Sequence, residues 1–216
     1  MVGRPRGVDD AAILRATADV VGRVGPAGLT LAAVAREVGL VPGTLMQRFG
    51  SKRGLLLALA ERSAGQAEAE ARKAPERLRR EHGSALAALT ALLVESMEPM
   101  TDPETYANHL AFLCLDLAEP EFHGHALAFH RAERRAVEEL LTAAAAAGEL
   151  RAGTDVRPLA RSVQAMSAGA GLIWALDREG TLAQRTREGI GEVLARYVAL
   201  PVPDDDPPVP ADREES

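Results

Sequence analysis

Apolar residues recur every three to four positions along most of the chain, and nowhere do they alternate one for one with polar residues. That spacing places one apolar stripe on each of a series of helices, whereas half-buried strands need strict alternation. In the first segment Ile13, Leu14, Thr17, Val20, Val21 and Val24 share a face; Asp9 or Asp10 offers the N-cap, and Gly25-Pro26-Ala27-Gly28 the stop. Thr30 then caps a short helix, Leu31 to Val38, that buries Val34 and Val38 and closes at Gly39. Only Leu40 and Val41 precede Pro42, which opens a third helix reaching Phe49. Ser51 caps a long fourth helix through about Lys73. Five more helices are expected at 83–98, 103–118, 121–148, 155–177 and 181–199, punctuated by Pro99, Pro103, Pro120, Gly148 and Gly180. The pattern divides the chain into a basic arm (1–8), a three-helix head (9–54), a helical body (55–200) and an acidic, Pro-rich tail (201–216).

Composition agrees with an all-α chain that buries a core. Hydrophobic residues make up 47% of the 216 positions and aromatic ones only 3%; Ala and Leu, the strongest helix formers, dominate the rest. Cys114 is the single cysteine, which excludes an intrachain disulfide and any cysteine-based zinc site. No apolar stretch follows the N-terminus and none approaches the roughly 20 residues of a membrane span, so a cytoplasmic chain without membrane contact is expected. The formal charge is −6, but it is unevenly spread: residues 1–62 carry +4 and the remainder −10. A basic head on an acidic body suits a protein that meets a polyanion with one end only.

Two short helices joined by a Gly-containing turn, under a longer first helix, make a helix-turn-helix, whose second helix lies in the major groove. Pro42, Gly43, Thr44, Gln47 and Arg48 are therefore the candidates to meet DNA, with Leu45 and Phe49 on the buried side. Gln47 and Arg48 carry the donor patterns that read adenine and guanine edges, and Thr44 suits a phosphate or a thymine methyl. Lys52, after the cap at Ser51, adds charge where free helix N–H groups already favour a phosphate. Arg4 and Arg6, within Gly3-Arg4-Pro5-Arg6-Gly7, are expected in a narrow minor groove.

Residues 13–59 resemble the TetR family of transcriptional regulators. Thr30, Gly39, Gly43, Thr44, Leu45, Phe49, Ser51 and Lys52 match its pattern. Val41 and Met46 depart from it, standing where the family usually has Ser or Thr and Tyr. Neither Val nor Met donates a hydrogen bond, so phosphate contacts fall on Thr30, Thr44, Lys52 and the arm. The resemblance implies an N-terminal helix-turn-helix domain plus a C-terminal bundle for ligand binding and dimerisation. The implied partners are double-stranded DNA with a palindromic operator, a small-molecule effector and a second copy of the chain, with repression as the output.

For the homodimer the last two helices are expected to supply Leu159, Val163, Met166, Ala170, Ile173, Leu182, Ile190, Val193 and Tyr197, while the run Ser167–Gly171 removes bulk for a close helix approach. For the effector, Met97, Met100, Tyr106, His109, Phe112, Leu113, Phe129 and Trp174 are the candidates, with Tyr106 and His109 as polar anchors. His123, His125 and His130 lack metal-ligand spacing, so no metal and no cofactor are expected. No phosphate loop, nucleophile elbow or triad context argues for an enzyme, and Cys114 between two leucines reads as core. The alternative is a helical interaction protein that has lost DNA binding.

Overall fold

The computed structural model describes residues 8–199, apart from the Asp116 side chain; Arg4, Arg6 and the tail from Pro201 lie outside the described residues. Among the described residues there are nine helices and no strand beyond one isolated bridge, Leu150 with Val198.

The head comprises α1 (Asp10–Gly28), α2 (Leu31–Glu37) and α3 (Pro42–Phe49). Its caps are those the sequence offers: Asp9 accepts from Ala12 N at 2.7 Å and Thr30 from Ala33 N at 3.1 Å. Gly25 stands at φ 69°, ψ 170°, so the regular part of α1 ends at Val24 and one further turn follows. Ile13, Val20, Val21, Leu29, Val34 and Leu45 form the head core. Val38, expected inside, is only half-buried.

α4 (Lys52–His82) joins head to body. Leu55, Leu56 and Leu59 belong to the head core, and Ala74 and Leu78 to the body core. The helix was expected to stop near Lys73, before Pro75, yet it continues to Gly83, a left-handed cap. An interior Pro costs about 3 kcal/mol, and burying one Leu returns about 1.5–3 kcal/mol. Burial of Leu78, Ala71, Ala74 and Pro75 itself therefore offsets the break.

The body adds α5 (Ala85–Met97), α6 (Pro103–Ala118), α7 (Pro120–Ala146), α8 (Val156–Asp177) and α9 (Leu182–Leu194). Leu89, Leu140, Leu141, Leu159, Val163 and Ile190 fill its core. α4 lies along α7, α8 on α9, and α6 on α1 of the head. The start of α5 is held by Glu149, which accepts from Ala85 N, Leu86 N and the Ser84 hydroxyl at 2.7–3.0 Å. Burial pushes this carboxyl up, but those three donors prevail and hold it below its ordinary value. α9 ends five residues earlier than its expected 199, because Val198 pairs with Leu150 and Ala199 N donates to Glu149 O.

Candidate nucleic-acid interface and body cavity

α3 buries Leu45 and turns Val41, Pro42, Gly43, Met46 and Gln47 to solvent. Thr44 is half-buried at the helix start, its N–H donating to Val41 O at 2.9 Å. Val41 and Met46 are apolar yet 67% and 51% exposed. On a face that enters a groove they suit thymine methyl groups. Thr30 keeps its hydroxyl hydrogen available while its oxygen caps α2.

Two basic residues are partly committed within the protomer. Arg48 turns toward the start of α1, donating to Val8 O at 2.7 Å and Asp10 Oδ1 at 3.1 Å. Both bonds run from Nη1, so that nitrogen is held beneath the root of the arm while Nε and Nη2 keep their donors. Lys52 Nζ donates to Ala27 O at 2.7 Å, leaving two of its three donors for a phosphate.

In the body a cavity of about 310 Å³ opens between α4, α5, α6, α7 and α8. Seven of the eight candidates line it: Met97, Met100, Tyr106, His109, Phe112, Leu113 and Phe129. Trp174 does not, which is a correction. It stands edge-on to Tyr106 at 6.4 Å and donates through Nε1 to Gly180 O at 3.3 Å. Tyr106 in turn lies over Gly171, where any Cβ would collide with its ring. One glycine of the small-residue run thus serves α6 of the same protomer rather than a partner. Ser63, Ser96, His125, His130, Glu133, Gln164 and Ser167 complete the polar part of the wall. Burial lowers the His109 pKa, favouring the neutral imidazole, and raises that of Tyr106, keeping its phenol protonated. Among the described residues no group of three or more His, Cys, Asp or Glu is placed to hold a metal. None of the described helices is long and apolar enough to cross a membrane.

Cavity and head share one helix. A Cβ built on Gly22 of α1 would stand 3.6 Å from His109 Nε2, so this imidazole lies between the cavity and the head. One residue earlier, Asn108 Nδ2 donates to Gly22 O at 2.9 Å. That carbonyl would normally receive the N–H of residue 26, but Pro26 has none. Asn108 supplies the missing donor. It was not singled out from the sequence, because its partner lies 86 positions away. A second link is Arg53 of α4, whose Nη2 is 2.8 Å from Glu119 at the α6–α7 corner and whose guanidinium sits over Phe122.

The dimer candidates divide. Leu159, Val163, Leu182 and Ile190 are buried in the protomer's own core and are corrected accordingly. Met166, Val193 and Tyr197 are partly buried against that core, and Ala170 is half-buried. Ile173 is half-exposed, and Leu172 and Leu176 beside it are exposed too. Cys114, expected inside, is exposed.

A head in which two short helices follow a longer first one, on a helical body, defines a helix-turn-helix protein. Residues 13–59 match the family model for bacterial regulatory proteins of the tetR family. Over these residues the head is similar to that family, in keeping with the resemblance of its motif. A chain from Saccharomonospora viridis described as a transcriptional regulator, solved in complex with choline, is 18% identical over 88% of this chain and 98% of its own, with a TM-score of 0.70. FadR from Bacillus subtilis, in complex with stearoyl-CoA, is 17% identical over 87% and 98%, with a TM-score of 0.64. SmeT, the repressor of the Stenotrophomonas maltophilia multidrug efflux pump SmeDEF, is 21% identical over 96% of each chain, with a TM-score of 0.63. A search of curated proteins finds no match.

Proposed function

We propose that this chain is a homodimeric, sequence-specific transcriptional regulator, acting as a repressor, whose grip on a palindromic operator is set by a small molecule in the body cavity. The observation that carries this reading is the sharing of α6: its residues wall the cavity and also brace α1 of the head. A ligand that moves His109 displaces Asn108 and with it Gly22. Two heads must sit about 34 Å apart to meet successive major grooves, so a small rotation of each lowers affinity sharply. The ligand complexes and the repressor among structures of the same fold are in keeping with such a design.

Gln47, Gly43 and Thr44 would face the bases and Lys52 and Thr30 the phosphates, with Val41 and Met46 against thymine methyls. Leu172, Ile173 and Leu176 would form the centre of the dimer contact. The test is recovery of genomic fragments on the purified full chain, followed by sequencing. A palindromic site that survives an excess of unrelated duplex is the expected result. Binding that disappears with competitor would reduce the head to a charged patch.

A further inference from the structure

Taking the cavity as the effector site, we propose that it selects a compact, mainly apolar molecule bearing one cationic nitrogen and rejects acids. The volume, about 310 Å³, stands at the lower end of ligand sites, which run roughly 300–1,000 Å³. That suits a small body rather than a long chain with a bulky polar head. The wall is mostly apolar and includes the rings of Tyr106, Phe112 and Phe129. Among the described residues no Lys or Arg lines it, and the carboxylate on the wall is that of Glu133, with His130 Nδ1 3.5 Å away. An anion entering this space would leave water for a low-dielectric wall without a lysine or arginine to meet it, facing a carboxylate instead. A cation would find Glu133 and a wall that contains aromatic rings.

A second observation points to a ligand independently. Ser167 is only 5% exposed, lines the cavity, and its Oγ has no hydrogen-bond partner. Buried hydroxyls are almost always paired, so this oxygen is an acceptor or donor left unused on a residue of the cavity wall. Gln164, one turn earlier on α8, donates to His130 O at 3.1 Å. That bond sets the polar side of α8 beside the turn of α7 that carries His130 and Glu133. The imidazole of His109, which burial keeps neutral, can accept a further N–H. An ammonium therefore has a carboxylate, a hydroxyl and an imidazole to choose among, and the apolar remainder lies against Phe112, Phe129 and Leu110.

Calorimetry on the full chain at neutral pH, with three probes on one phenylpropyl body, tests the assignment. 3-Phenylpropylamine should bind about tenfold more tightly than 3-phenylpropionate, with 3-phenylpropan-1-ol between them. Glu133→Gln should bring the amine to the level of the alcohol and leave the alcohol within about twofold. Ser167→Ala should weaken both. The proposal is overturned if the acid binds within roughly threefold of the amine, if Glu133→Gln leaves the amine unchanged in a variant that melts like the parent, or if none of the three binds saturably. A band shift on the recovered operator, run beside the titration, separates the two readings. An amine that binds without releasing DNA keeps the ligand class and removes the regulation; a chain that binds no operator bears on the regulator reading alone.

Discussion

Ser167 illustrates how much a single buried atom constrains. Its hydroxyl was desolvated on folding and regained no hydrogen bond, so removing it from the ligand-free protein should cost nothing. Ser167→Ala is expected to leave the urea midpoint unchanged or raise stability by up to about 1 kcal/mol, whereas a hydroxyl serving the fold would lose about that much. His109 acts on pH. Its folded pKa lies below the 6.5 of a free imidazole because burial disfavours the charged ring. Protons thus bind the unfolded chain more readily, and the stability that His109 contributes is whole above pH 6.5 and lost as pH falls through the lower folded value. Urea midpoints should decline over that range, and His109→Asn should flatten the decline. In the head, Gln47→Ala should change preference at one base pair by about 1–3 kcal/mol while affinity for random duplex stays level, as read by competition binding.

At the scale of elements, α1 and α6 form the contact through which head and body meet. Gly25 at positive φ and Pro26 without an N–H end the regular helix and leave Gly22 O for Asn108. Asn108→Ala should cost about 1–3 kcal/mol in chemical denaturation, since a buried carbonyl loses its donor. It should also reduce the ligand's effect on DNA affinity by more than it changes either affinity alone. α4 shows the opposite balance, where tertiary burial overrides a local signal. Pro75 reads as a stop in sequence, yet the contacts of Leu78 and Ala74 carry the helix to His82. An ion pair between Arg77 Nη2 and Glu95 at 2.7 Å, and another between Arg135 and Glu68, fasten its second half to α5 and α7.

For the molecule as a whole, the exposed stripe on α8 is the surface that asks for a partner. Leu176 is 72% exposed next to Ile173 and Leu172, and Gly169 one turn earlier leaves open space above its backbone. If the proposed dimer forms here, Leu176→Glu should convert it to a monomer in sedimentation and weaken operator binding, with little change in the protomer's own melting. If the variant sediments as the parent does, the partner contacts another face.

The sequence by itself determined the number and class of the helices, the caps at Thr30 and Ser51, the extent of α3 and the motif that matches the TetR head, because these depend on neighbours a few residues away; it left the first cap open between Asp9 and Asp10. Periodicity also showed that α8 and α9 each bury a stripe. It could not say against what, and Leu159, Val163, Leu182 and Ile190 turned to the protomer's own core. Only the tertiary structure decided that Arg48 braces α1, that Trp174 stands behind Tyr106, that Asn108 completes α1 and that Ser167 is left without a partner. Each depends on a polar group meeting, or failing to meet, a match from another helix, and such meetings are fixed by packing and not by spacing along the chain.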